Sequence, residues 1–207
     1  MDRGYIYLNK KSFLHNLEVL KNLSRKELCL VVKANAYGHG LEWAVKNAKE
    51  SGIKWFAVAS VDEGMQVKKV YKESRVLLLA EPSKIQLENI KENDIDLTVY
   101  NESFIDTLIE TGDEYSVHLK IDTGMHRLGC PPEKFYDLYK KIVDSDLNLI
   151  GICTHFPMAD TDETETKKSI ELFEKTISDI DSTNMLLHVD NSCLLYTSDA
   201  ADERSSV

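Results

Sequence analysis

Seven stretches of strand length, each apolar almost throughout, recur along this chain with helix-spaced segments between them. They are LCLVV at 28–32, KWFAVAS at 54–60, RVLLLA at 75–80, IDLTVY at 95–100, EYSVHLKID at 114–122, LNLIGICTHF at 147–156 and NMLLHVDN at 184–191. A strand that alternates apolar and polar residues shows one face to water. A strand that is apolar along its length is covered on both faces, as in a parallel sheet under helices. The intervening segments supply the helices. Phe13, Leu14, Leu17, Leu20 and Leu23 fall at helical spacing, as do Leu41, Ala44, Val45 and Ala48, and again Ile170, Phe173, Ile177 and Ile180. Further helices are predicted over 62–70, from 102 and over 133–144, the last entered through Pro131 and Pro132, which suit a first helical turn. A shorter strand is predicted at 5–8. The alternation of strand and helix gives an α/β fold. An open doubly wound sheet would be expected to carry GxGxxG, which is absent. The expected architecture is therefore a (β/α)8 barrel of the TIM type, with about seven of its eight strands present.

The polar residues that interrupt this pattern stand at strand exits: Lys33, Ser60, Lys120 to Asp122, Thr154 with His155, and His188 to Ser192. The C-terminal strand ends are where a barrel builds its site. Lys33 is the sharpest case, since five apolar residues run directly into it and Gly38 and Gly40 then punctuate the chain. A lysine in a dry pocket loses its proton readily, and its neutral amine forms a Schiff base with a carbonyl. The alternative is a long cation that snorkels to the surface at a strand end.

Charge and composition narrow the classes. The 207 residues carry a net charge of −10, which argues against nucleic acid and against an anionic membrane surface. The opening MDRGYIYLNKK has no apolar core of a signal peptide, and no apolar run approaches the roughly 18 residues of a membrane span. The four cysteines form no CxxC pair, and Cys29 and Cys153 lie in strand patterns, so buried free thiols are expected. His15, His118 and His126 show no metal-binding spacing, and no metal is expected. The acidic run 160–165 reads as a solvated loop and helix start. These features fit a cytoplasmic protein.

VVKANAYGHG at 31–40 resembles the cofactor-lysine segment of the alanine racemase family, whose members use pyridoxal 5'-phosphate. The resemblance implies that Lys33 carries the cofactor covalently and that Tyr37 contacts its phosphate. KIDTGMHRLG at 120–129 resembles the family's arginine loop. There Arg127 would contact the cofactor's phenolic oxygen and bind the substrate carboxylate, a task suited to a bidentate guanidinium. Lys120 matches a lysine that some members carry carbamylated; a salt bridge to Asp122 or a neighbouring acid is the alternative. THFPMAD at 154–160 resembles the family's sixth-strand segment, which implies that His155 stacks near the pyridine ring. HVDNS at 188–192 resembles a segment in which Asn191 and Ser192 donate to the phosphate, although Asp190 stands where the family favours a small residue.

The resemblance spans residues from about 2 to 192 and implies a truncated barrel domain over 1–192, followed by a non-native tail, 193–207, that is similar to translated sequencing-adapter sequence. It also implies a homodimeric parent whose C-terminal domain supplies an opposing tyrosine base, and a truncated chain that is itself inactive. The implied substrate is alanine, for D-alanine and cell-wall synthesis. The alternatives are a serine racemase of the vancomycin-resistance type, with a membrane domain upstream, and a non-catalytic pyridoxal-phosphate homeostasis barrel.

Overall fold

The structure is a computed structural model that describes residues 4–189. The expectations placed on Asn191, Ser192 and the tail lie outside the described residues. The chain forms two compact units that divide after Ile95.

In the first unit, helix α1 (Lys10–Ser24) begins where Asn9 Oδ1 accepts the Ser12 N–H at 3.1 Å. That cap satisfies one of the donors a first turn leaves open. Three parallel strands follow in order: β1 (Cys29–Val31), β2 (Trp55–Val58) and β3 (Arg75–Leu78), with Leu30 opposite Phe56 and Phe56 opposite Val76. Between β1 and β2 come the short turn α2 (Lys33–Tyr37) and helix α3 (Leu41–Glu50), whose Trp43 ring lies 5.1 Å from Phe13. Helix α4 (Val61–Val70) joins β2 to β3 and is capped by Ser60, so that strand-exit serine has a structural task. Phe56, Val58, Val45, Ala48, Val67 and Val76 are wholly buried and form the core, each worth about 1.5–3 kcal/mol for the larger side chains. A 3-10 turn over Lys84–Gln86 leads into α5 (Leu87–Glu92), held by reciprocal bonds between Ser83 and Gln86.

Two expectations are corrected here. Residues 5–8 are not a strand: Tyr5, Ile6 and Tyr7 are 75–95% exposed. A short run of strand-forming residues supplies no neighbour, and a strand exists only where its N–H and C=O groups find a ladder. Cys29 is exposed rather than buried, and Val31 is 37% exposed. Within the unit β1 pairs with β2 alone, so its outer side is covered less than the apolar run implies.

The second unit holds the parallel strands β4 (Ile95–Val99), β5 (Ser116–Lys120), β6 (Asn148–Cys153) and β7 (Leu186–His188). Its helices are α6 (Glu102–Glu110), α7 (Pro132–Val143) and α8 (Glu163–Ile177). Proline opens α7 as expected. Asp162 caps α8, and Glu163 and Glu165 sit in its first turn, where they complement the positive end of the helix dipole. The register lines up Val99 with Leu119, and Leu119 with Ile152, all fully buried on one apolar face. The alternate positions are polar: Thr98 stands beside His118, and Lys120 beside Cys153 and His188. Between β5 and β6 the register skips Ile150, a bulge that keeps both faces in step beyond it.

Candidate functional site

Lys33 leaves the sheet at the C-terminal end of β1. The ladder still holds Val32, whose N–H donates to the Ala57 carbonyl at 2.9 Å and whose side chain is buried. The chain then does something that L-residues avoid. Ala34, Asn35 and Ala36 have φ of 51–55° and ψ of 47–49°, and Tyr37 has φ 53°, so α2 winds left-handed. Such a turn costs roughly 1–2 kcal/mol for each non-glycine residue. Backbone and side-chain bonds hold it. The Gly38 and Gly40 N–H groups donate to the Ala34 and Asn35 carbonyls, and the His39 ring Nδ1 lies 2.9 Å from the Ala36 carbonyl. The Leu41 N–H donates to Asn35 Oδ1 at 2.7 Å. Lys33 is half-buried at the start of this turn, and Tyr37 is 59% exposed at its end.

In the second unit, Lys120 ends β5 and the loop bearing Arg127 follows. Asp122 organises that loop: its Oδ1 accepts the N–H groups of Gly124 and His126, each at 3.0 Å. Burial pushes the Asp122 carboxyl up, but these N–H groups, the His126 ring and the Met125 N–H together hold it below the usual range. The loop closes where the Cys130 N–H donates to the Lys120 carbonyl and the Asp122 N–H to the Cys130 carbonyl. Only a residue without Cβ fits at Gly129, where an added carbon would come within 2.6 Å of the Asp122 nitrogen. Arg127 is exposed on this loop. His155 follows β6 by two residues and is half-buried. Buried hydroxyls tie the two exits together. Thr154 Oγ1 donates to the Ile121 carbonyl and lies 2.8 Å from Thr123 Oγ1, and Ser169 Oγ donates to the Thr123 carbonyl at 2.9 Å.

Beneath the Lys120 end, the polar face of this sheet carries an imidazole pair, His118 buried and His188 half-buried. His118 Nδ1 lies 2.8 Å from His188 Nε2, with the rings edge to face, and Asp96 Oδ2 is 3.9 Å from His118 Nε2. Gly151 makes room for it, since a Cβ there would press into the His118 ring. Burial, then His118, then Lys120 push the His188 imidazole down to about 3, so it is neutral at ordinary pH.

Amine, phenol, guanidinium and imidazole thus stand at strand exits in their respective units, on backbone that is tightly bonded. The sequence profile described as alanine racemase, N-terminal domain, matches residues 8–203. The chain belongs to the alanine racemase N-terminal domain family. The alanine racemase of Treponema denticola is 35% identical over 188 residues, which are 84% of this chain and 50% of that protein. An amino-acid racemase of Enterococcus faecalis is 33% identical over 182 residues, 85% of this chain and 26% of its own length. Among solved structures, the alanine racemase of Clostridium difficile 630 matches with a TM-score of 0.82 at 28% identity, covering 89% of this chain and 54% of that one. A histidine racemase from Leuconostoc mesenteroides matches at 0.83 and 25% identity, covering 90% and 52%. The chain spans about half the length of the curated alanine racemases it matches. The fold class is accordingly the incomplete (β/α)8 barrel of alanine racemase N-terminal domains, with seven strands among the described residues.

The alanine racemase motifs fall on two groups of residues. Lys33 and Tyr37 share one turn in the first unit; Lys120, Arg127 and His155 lie on neighbouring strand exits in the second. Sequence reasoning gave no task to Asn35 or His39, although both stand inside the motif, and it dismissed His118 for lack of metal spacing. Apolar patterning could not reveal the His118–His188 pair, because it depends on register across β5, β6 and β7.

Proposed function

We propose that this chain is the cofactor-bearing part of a pyridoxal 5'-phosphate-dependent amino-acid racemase, with alanine the favoured substrate. The observation that carries the reading is the rigid left-handed turn that presents Lys33 and Tyr37 at a strand exit, in a chain of this family. The donor set fits the cofactor: an amine for its carbonyl, an exposed phenol for its phosphate and a guanidinium for anionic oxygens.

When bound, the cofactor supplies an electron sink that makes the substrate Cα–H acidic. Lys33 Nζ would hold the cofactor through its carbonyl carbon, and the lysine amine would move the proton on one face of the substrate Cα. Tyr37 would donate its O–H to the cofactor phosphate, and Asn191 and Ser192 would be further donors to it. The Arg127 fork would hold the substrate carboxylate, and His155 would pack against the cofactor ring. Lys120, carbamylated or not, orients Arg127. Inversion needs a second base on the other face. The resemblance assigns it to a tyrosine in a C-terminal domain of a homodimeric enzyme. Cytoplasmic location and D-alanine supply for the cell wall belong to the same proposal, as does the boundary between 192 and 193, which the profile match crosses. The histidine racemase among the structural relatives indicates that this barrel accommodates different side chains, so the substrate class is amino acid first and alanine second.

The test is chemical. The chain given the cofactor should develop absorption near the visible edge, and borohydride should fix the cofactor on Lys33 in a peptide map. Lys33→Ala should abolish the band, and Tyr37→Phe should weaken cofactor binding without moving the adduct. An adduct on Lys120 instead would sink the assignment.

A further inference from the structure

We propose that Asn35 and His39 are positioning residues that lock the left-handed turn and thereby set the direction in which Lys33 and Tyr37 leave it. This rests on the reading that Lys33 carries the cofactor.

Ala34, Ala36 and Tyr37 have no local means of favouring φ near +50°, while asparagine is among the few residues that tolerate it. Left to themselves these residues would return to right-handed or extended backbone, and both functional side chains would point elsewhere. Asn35 opposes that return twice over. Its carbonyl accepts the Gly40 N–H at 2.9 Å, and its side-chain oxygen accepts the Leu41 N–H at 2.7 Å. Leu41 is the first residue of α3, and the Gly40 cap position has no side chain to offer. Asn35 therefore caps α3 from six residues upstream and bolts the turn to a helix whose own face is buried at Leu41, Ala44, Val45 and Ala48. His39 closes the other side. Its main-chain N–H and its ring Nδ1 both reach the Ala36 carbonyl, at 3.0 and 2.9 Å. A carbonyl only accepts, so Nδ1 carries the hydrogen and the tautomer is set. The turn is held from within its strained stretch and from just beyond it.

Conservative replacements separate the role from mere folding. Aspartate at 35 keeps the acceptor and the tolerance of left-handed backbone; alanine keeps neither. Asparagine at 39 places an N–H donor where Nδ1 stands; alanine removes it. The experiment uses the 207-residue chain with added pyridoxal phosphate. It reads the rate at which the visible band appears, the circular dichroism of that band, the borohydride-trapped yield on Lys33 and the melting midpoint. Asn35→Ala should slow capture about tenfold, since a donor with no acceptor is left at the helix start. It should also diminish the induced dichroism, while Asn35→Asp stays within about twofold of the parent. His39→Ala should slow capture about threefold, with His39→Asn restoring it. Asn35→Ala matching the parent in rate and dichroism would overturn the inference, as would Asn35→Asp failing as badly with its melting midpoint intact. Should Asn35→Ala fail to fold, the His39 pair decides: equal capture by His39→Ala and His39→Asn overturns it. A parent chain that places no cofactor on Lys33 removes the reading beneath and this inference with it. A parent that does so, with variants indistinguishable from it, removes this inference alone.

Discussion

Burial keeps the His188 imidazole neutral, and this has a measurable consequence at the level of one residue. Its folded pKa is pushed to about 3, below the ordinary 6.5, by burial and by the facing His118 and Lys120. Between those two values the unfolded chain binds the extra proton, so stability rises with pH across that window and is lost on acidification. One such group contributes a slope of up to about 1.4 kcal/mol per pH unit. Denaturant unfolding at pH 7, 6 and 5 should show this decline, and His188→Gln should flatten it; an unchanged slope would show that the pair does not titrate as described. A second residue-level expectation concerns Arg127. In a racemase extended by a C-terminal domain, Arg127→Lys should lower kcat more than cofactor affinity, because lysine keeps the charge and loses the planar fork. Equal kcat/KM in the two proteins would remove Arg127 from the site. Lys33, Tyr37 and Arg127 stand out in the sequence as candidates because each is a chemically costly residue in a glycine-punctuated motif. The handedness of the turn between Lys33 and Tyr37 was not, since alanine gives no sign of φ near +50° and the bonds that enforce it come from residues further along.

At the scale of the element, the strand exits of the second unit are tied by hydroxyls. Thr154→Val keeps the shape and deletes the bond to the Ile121 carbonyl and the contact with Thr123. Leaving such buried groups unmet costs about 1–3 kcal/mol. Unfolding of Thr154→Val, Thr123→Val and the double variant should give a coupling energy clearly above zero. Strict additivity would show that the two hydroxyls do not act together. Apolar runs located every strand from β1 to β7, because burial on both faces leaves a continuous signature. They overstated β1, since a run of apolar residues does not say whether a neighbour lies on each side. They missed α5, whose six residues, LENIKE, are too few to show a helical repeat. The expectation at 5–8 failed for a related reason: strand-forming residues without a ladder leave Tyr5, Ile6 and Tyr7 in solvent.

For the whole molecule, the alternation of strand and helix led to the fold class without a motif, and the motifs then led to the family. The expected division of labour also belongs to this scale. On the proposed reading the chain holds the cofactor lysine and one base; it spans about half the length of its curated relatives. One base moves a proton on one face of Cα only. The decisive measurement is hydrogen exchange at the alanine Cα in deuterium oxide, with the chain and pyridoxal phosphate present and both enantiomers followed separately. The account predicts that one enantiomer exchanges its Cα hydrogen with retention, that the other does not, and that Lys33→Ala falls to the rate of free cofactor. Equal interconversion of both enantiomers by residues 1–207, or exchange that survives Lys33→Ala, would contradict it.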